Sequence, residues 1–241
     1  INVHASIKGL PQGPANIAYR AAEMIIQYSG LSTGVDIRIE KKIPVAGGLA
    51  GGSSDAAAVL KGINILFGLN IDDTVLLDMA AELGSDVPFC LRGGTVFASG
   101  RGEILRELPD LKRVDLVIVN PGIEISTAWV YQEYDRLCEK RELPVRELLA
   151  LIEDKAEIKW NEGWANVLED AVLPYYQDIA RIKENLKKMG ASFVLMTGSG
   201  PTVFAVAETQ KAVERIKNNW PEKKDFVTTA WTVKKDFFEL W

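Results

Sequence analysis

Pro44-Val45-Ala46-Gly47-Gly48-Leu49-Ala50-Gly51-Gly52-Ser53-Ser54 joins a stretch with strand periodicity to one with helix periodicity. Upstream, Val35, Ile37 and Ile39 alternate with Asp36, Arg38 and Glu40, the period of a half-buried strand. Downstream, Ala56, Val59, Leu60, Ile63, Leu66 and Phe67 predict a buried helix over Ser54 to Phe67, closed near Gly68. The loop between them carries Gly47, Gly48, Gly51 and Gly52. Glycine admits positive φ and lets a ligand approach the backbone. With Ser53, Ser54 and Asp55 at the helix start, free N–H groups and the positive dipole end face the loop and make an anion site. A serine hydroxyl there adds a bond to phosphate or a ligand for Mg²⁺. A flexible turn with a serine N-cap fits the same residues.

The loop lacks a closing Gly-Lys-Ser/Thr and has no G-x-G-x-x-G register, so it matches neither common nucleotide fingerprint. The missing dinucleotide fingerprint argues against a hydride-transferring dehydrogenase. Lys41 and Lys42 precede the loop. Either can reach a phosphate or the rim of a nucleobase, and either also fits a solvated strand end.

Further out, Ile17, Ala21, Met24, Ile25 and Tyr28 predict a helix from Asn16 to Tyr28 that Gly30 closes. Asp72-Asp73-Thr74 opens another through Leu83, stopped by Gly84. Strands are expected over Thr95–Ala98, Val114–Val119 and Phe226–Val233, and helices over Thr127–Lys140, Val145–Ile152 and Gln210–Asn218. A longer helix runs through Ile179, Ile182 and Leu186 to Gly190. Phe193–Met196 and Thr202–Val206 flank Thr197-Gly198-Ser199-Gly200-Pro201 as a strand–loop–strand unit. Strands and helices mix without strict alternation, which makes the fold class α+β.

Asp86 stands in Gly84-Ser85-Asp86-Val87-Pro88-Phe89, after a helix stop. A carboxylate beside a phosphate site can orient a substrate hydroxyl and take its proton. The same Asp, two residues before a Pro, also fits a helix N-cap. Cys90 reads as a small core residue, since nothing adjacent in sequence lowers its pKa.

The bulk numbers narrow the partners. A net charge of −5 without a long basic run argues against nucleic acid or an anionic membrane. The most apolar run, Leu116–Val119, is strand-sized, and the first residues do not form a signal peptide. Two cysteines without framework spacing fit a reducing cytoplasm, and the single histidine, His4, cannot build a His-rich zinc site. No metal-ligating residue is assigned.

Taken together, the Pro44–Ser54 loop, the Asp86 turn and Thr197-Gly198-Ser199-Gly200 resemble the motifs of the GHMP kinase superfamily. Within it they are most like the members that phosphorylate the 2-hydroxyl of 4-diphosphocytidyl-2-C-methyl-D-erythritol. The segments carrying that likeness include Asn16-Ile17-Ala18-Tyr19-Arg20-Ala21-Ala22, Leu83–Phe89, Gly100-Arg101-Gly102-Glu103 and Asn120–Thr127. The resemblance runs nearly end to end, in the same order. It implies a two-lobed fold: an ATP-binding lobe over residues 1–109 and a substrate-side lobe over 110–241, with the active site in the cleft between them.

By the same resemblance Asp86 is the general base. Pro44, Val45, Ala46, Gly47, Gly48, Leu49, Ala50, Gly51, Gly52, Ser53 and Ser54 form the ATP loop, with Mg²⁺ expected alongside ATP. Asn16, Lys41 and Val45 fall at the adenine pocket. Thr127, Tyr131, Gly198, Ser199 and Gly200 fall on the substrate side. Tyr131 would stack on cytosine, since an aromatic face accepts a base, and it equally fits a buried helix position. The family's earlier segment, with a catalytic lysine and an Asp-Gly-Tyr-His stretch, is expected to precede Ile1 in a longer chain. Another superfamily kinase of homoserine or mevalonate type, or a nucleotide-binding chain without turnover, stays open as an alternative.

Overall fold

A β–α–β crossover opens the chain. β1 (Asn2–Ala5), α1 (Ile17–Ser29) and β2 (Asp36–Ile39) follow one another, and the two strands pair in parallel with Val3 opposite Ile37. The computed structural model describes residues 1–155, 160 and 163–235. By internal contacts these divide into two units. The first comprises Ile1–Val45, Ala50–Glu107 and Lys235; the second comprises Ala46–Leu49 and Leu108–Lys234.

The first unit continues with α2 (Gly51–Leu66), α3 (Asp73–Leu83), α4 (Val87–Arg92) and the antiparallel hairpin β3 (Val96–Ser99)–β4 (Ile104–Glu107). Its core is a helix layer rich in small residues. Ala18, Ala21, Ala22 and Ile25 of α1 are buried, as are Ala56, Ala57, Leu60 and Ile63 of α2. Small side chains let the helix axes approach closely. Leu76, Met79, Ala80 and Leu83 of α3 complete the cluster. Burying a residue such as Leu60 or Ile25 contributes about 1.5–3 kcal/mol each, so the seating of α2 is firmly set.

In the second unit β5 (Asp115–Asn120) lies inside a sheet of order β6–β7–β5–β8, all of its pairs antiparallel. Between β5 and the later strands come α5 (Thr127–Arg136), α6 (Val145–Glu153), α7 (Glu169–Val172) and α8 (Gln177–Lys188). Then follow β6 (Phe193–Met196), β7 (Val203–Val206), α9 (Gln210–Asn218) and β8 (Phe226–Trp231). Ile179, Ile182 and Leu186 of α8, with Val213 and Ile216 of α9, pack on Val117, Val119, Val194, Met196 and Ala205 of the sheet.

Several expectations need correction. α2 begins at Gly51, three residues before the start read from the sequence. Glycine is a poor helix former and gives no propensity signal. α5 ends at Arg136 rather than Lys140. Only Val130 of α5 is buried, and beyond Tyr134 the sequence offers no apolar stripe to hold further turns. β8 stops at Trp231, not Val233. β1 and β4 were not legible in the sequence: each is four residues long, and β1 buries only Val3, too short a pattern for periodicity.

Candidate active site

The opening of α2 is built by backbone alone. Ala50 is its N-cap residue, in the left-handed region at φ 50, and no side chain caps the helix. The first bond of the helix runs from Ser54 N to Ala50 O at 2.8 Å. Gly51, Gly52 and Ser53 therefore present N–H groups outside the helix ladder, at the positive end of a 16-residue helix. Ser54 Oγ turns back onto Gly51 O at 2.9 Å, so its hydroxyl proton is engaged while its oxygen keeps acceptor capacity.

Lys41 is not a solvated strand end. Its side chain is 6% exposed and its ammonium meets Asp55 Oδ2 at 2.6 Å. A Cβ on Gly51 would lie 3.0 Å from that Lys41 nitrogen and 3.1 Å from Ile43 Cγ2. The close approach explains the glycine: any side chain there would displace the ammonium. A cation at the positive end of a helix is set against the dipole field. Asp55 offsets this, and a bound phosphate would do so too. Lys42, by contrast, is solvated and pairs loosely with Glu40 at 3.4 Å. Asp55 was not singled out from the sequence, because nothing in a one-dimensional reading joins it to a lysine 14 positions earlier.

Asp86 occupies the N-cap position of α4, yet its side chain makes no capping bond. The capping role that its sequence context suggested is therefore not taken up. Its surroundings show on Cys90, whose thiol is pushed up to about 11 by burial first, then by the carboxylates of Asp86 and Asp55. Both carboxylates thus lie in one neighbourhood, where α2 packs on α4. Cys90 is a free, partly buried thiol held protonated at neutral pH.

Asn16 is 7% exposed and caps α1. Its Oδ1 accepts from Ala18 N at 2.9 Å and its Nδ2 donates to Pro11 O at 2.7 Å. Val45 is 45% exposed, an apolar side chain open to solvent. Pro44 beside it is half-buried.

The second unit holds the remaining candidates. Ala46 (φ 52) and Gly48 (φ 68) both adopt left-handed backbone. A Cβ on Gly48 would fall 2.6 Å from Gly200 O and 2.8 Å from Thr197 O. Thr197 Oγ1 donates to Gly48 O at 3.0 Å. The Thr197–Pro201 turn therefore braces Ala46–Leu49. Thr127 Oγ1 and Ser199 Oγ lie 2.9 Å apart, which brings two of the substrate-side candidates together.

Tyr131 is 54% exposed, so the buried-position reading does not hold. Its ring lines a cavity of about 470 Å³ that also includes Tyr134, Asn166, Thr197 and Gly198. Asn166 and Glu169, which grip this turn from α7 and the residues before it, gave no sequence signal.

An uncapped helix opening in glycine and serine, with a free carboxylate near its partner helix, is the equipment of a phosphate-handling enzyme. The family comparison agrees: residues 16–94 match the model for the GHMP kinases N terminal domain and residues 145–225 that for GHMP kinases C terminal. The chain belongs to the GHMP kinases, and is an ATP-dependent small-molecule kinase of α+β fold.

Among its relatives is 4-diphosphocytidyl-2-C-methyl-D-erythritol kinase of Acetivibrio thermocellus, 43% identical over 237 residues, which are 95% of this chain and 81% of that one. A crystal structure of 4-(cytidine 5'-diphospho)-2C-methyl-D-erythritol kinase superposes with a TM-score of 0.77 at 32% identity, covering 96% of this chain and 82% of the other. Homoserine kinase from Cytophaga hutchinsonii superposes with a TM-score of 0.74 over 96% of this chain and 81% of that one. Its identity is only 20%, a likeness of fold alone.

Proposed function

We propose that the protein transfers the γ-phosphate of ATP to the 2-hydroxyl of 4-diphosphocytidyl-2-C-methyl-D-erythritol. The observation that carries the reading is the open amino end of α2, with Lys41 and Asp55 paired against it. The relatives' names supply the acceptor.

In this reading the Gly51, Gly52 and Ser53 amides and the α2 dipole hold phosphate oxygens. Most of the rate enhancement comes from positioning and fixed charge. Asp86, whose carboxylate is not spent on a cap, takes the proton of the acceptor hydroxyl as the P–O bond forms. The leaving group is ADP. Lys41 and Val45 border the adenine. Asn16 contributes through the α1 cap it forms. Thr127 and Ser199 meet the acceptor, and Tyr131 offers its exposed ring to the cytosine.

Mg²⁺ arrives with ATP. Among the described residues no group of three or more His, Cys, Asp or Glu side chains is placed to hold an ion. Ser54 Oγ is an oxygen that fits an ion which keeps its waters and takes phosphate oxygens. The bound ion would neutralise charge on the transferring phosphoryl group. Two free thiols fit a reducing cytoplasm as the place of reaction.

The test is ADP release with three acceptors: 4-diphosphocytidyl-2-C-methyl-D-erythritol, homoserine and mevalonate. The expected result is turnover with the first alone. Turnover with either of the others would overturn the acceptor assignment. ATP binding without turnover on any of them would make the chain a nucleotide-binding protein.

A further inference from the structure

The Thr197–Pro201 turn is held by a polar network from the segment around Asn166 and Glu169. Asn166 Nδ2 donates to Met196 O at 2.9 Å and to Gly198 O at 2.7 Å, bridging the last residue of β6 and the tip of the turn. Its Oδ1 accepts from Leu168 N at 3.0 Å, which fixes the amide's orientation. One turn further on, Glu169 is 7% exposed, pairs with Lys183 of α8, and accepts from Met196 N at 2.8 Å. Met196 is thus held at both its N–H and its carbonyl. The turn in turn holds Gly48 through the Thr197 hydroxyl and through its own carbonyls, which leave no room for a Cβ.

We infer that Asn166 is a positioning residue for the nucleotide loop: its two donated bonds set the Thr197–Gly200 turn, and the turn sets the backbone of Ala46–Leu49. The inference rests on the reading of that loop as the ATP site. Two features of the geometry favour positioning over mere stability. One donated bond goes to the tip of the turn itself, Gly198 O, and what the turn presses on is loop backbone in a left-handed conformation. Asn166 is also chemically separable. Its oxygen serves α7, and its nitrogen serves the turn.

Asn166→Asp divides these jobs. The carboxylate still accepts from Leu168 N, but it offers no donor to the two carbonyls and repels them. ATP binding is measured by calorimetry on wild type and Asn166→Asp, with thermal melting alongside. Loss of two hydrogen bonds of ordinary net strength predicts a lowered Tm together with an ATP Kd of the folded protein raised by about tenfold or more, with the binding stoichiometry kept.

A purely structural role would lower Tm and the bound fraction while the folded protein kept its Kd; that result, or an unchanged Kd, overturns the inference. Should Asn166→Asp fail to fold, Asn166→Ala, which removes the donors without adding charge, is read by the same criterion. Wild type that does not bind ATP would sink the reading of the loop and this inference with it. Wild type that binds, beside a variant that binds equally well, sinks the inference alone.

Discussion

α3 opens on Asp72, whose carboxylate accepts from the Thr74 amide at 2.9 Å and the Thr74 hydroxyl at 2.7 Å. α2, in the same unit, opens on Ala50 and has no capping side chain at all. The Thr74 hydroxyl, then its amide, hold the Asp72 carboxyl below the usual range: a first-turn donor of that helix, the Thr74 amide, is satisfied from within the protein. At α2 the equivalent donors are left for something else, and a cation, Lys41, is kept beside them. What sets α2 apart is the combination: an end without a capping side chain, opened by glycine, with a cation beside it, which together suit an anion.

The largest effect should come from the carboxylate that likewise forgoes a cap. Asp86→Asn is expected to fold normally, to keep its ATP affinity, and to lose turnover by about 10²–10⁴-fold, the usual weight of a general base. A steady-state assay near the wild-type rate would remove Asp86 from the mechanism.

Next, Gly51→Val drives a side chain into the Lys41 ammonium and the α2 opening. It should weaken ATP binding by about tenfold to a hundredfold, or about 1.4–2.8 kcal/mol. Unchanged affinity by calorimetry would return the loop to the status of a turn. Gly48→Ala sets a Cβ into two carbonyl oxygens at a left-handed φ, so the chemical-denaturation midpoint should fall by the equivalent of about 1–3 kcal/mol. An unshifted midpoint would show that the turn does not brace the loop.

Smallest of all, Asp72→Ala should lower Tm slightly and leave ATP affinity alone. Because the folded-state pKa of Asp72 is depressed, its contribution is present above the ordinary carboxylate pKa and is lost as pH falls through the lowered value. The Tm difference between Asp72→Ala and wild type should therefore shrink in acid. A change in ATP affinity would erase the contrast between the two helix ends.

Local chemistry was legible in the sequence wherever it was also local in the fold. The Asp72 cap, the Gly30 stop, the α9 boundaries and the β6–β7 hairpin around Thr197–Pro201 all follow from spacing and turn residues. So did the glycine loop and the place of Asp86 at a helix start. What escaped depends on tertiary contact. That Gly51 must be glycine follows from Lys41 and Ile43, which leave little room for a Cβ there. Asp55 gains meaning only from Lys41, and Asn166 and Glu169 only from a turn some thirty positions later. The absence of a side-chain bond at Asp86 is likewise a fact of geometry that residue types do not encode.

The most direct test follows backbone amide resonances during titration with MgATP and, separately, with adenosine. The account predicts that Gly51, Gly52 and Ser53 shift strongly with MgATP and little with adenosine, while the Asp72-capped amide of Thr74 stays still in both. If the three α2 amides do not respond to the triphosphate, or respond no more than Thr74 does, the anion-binding role of that helix end is contradicted.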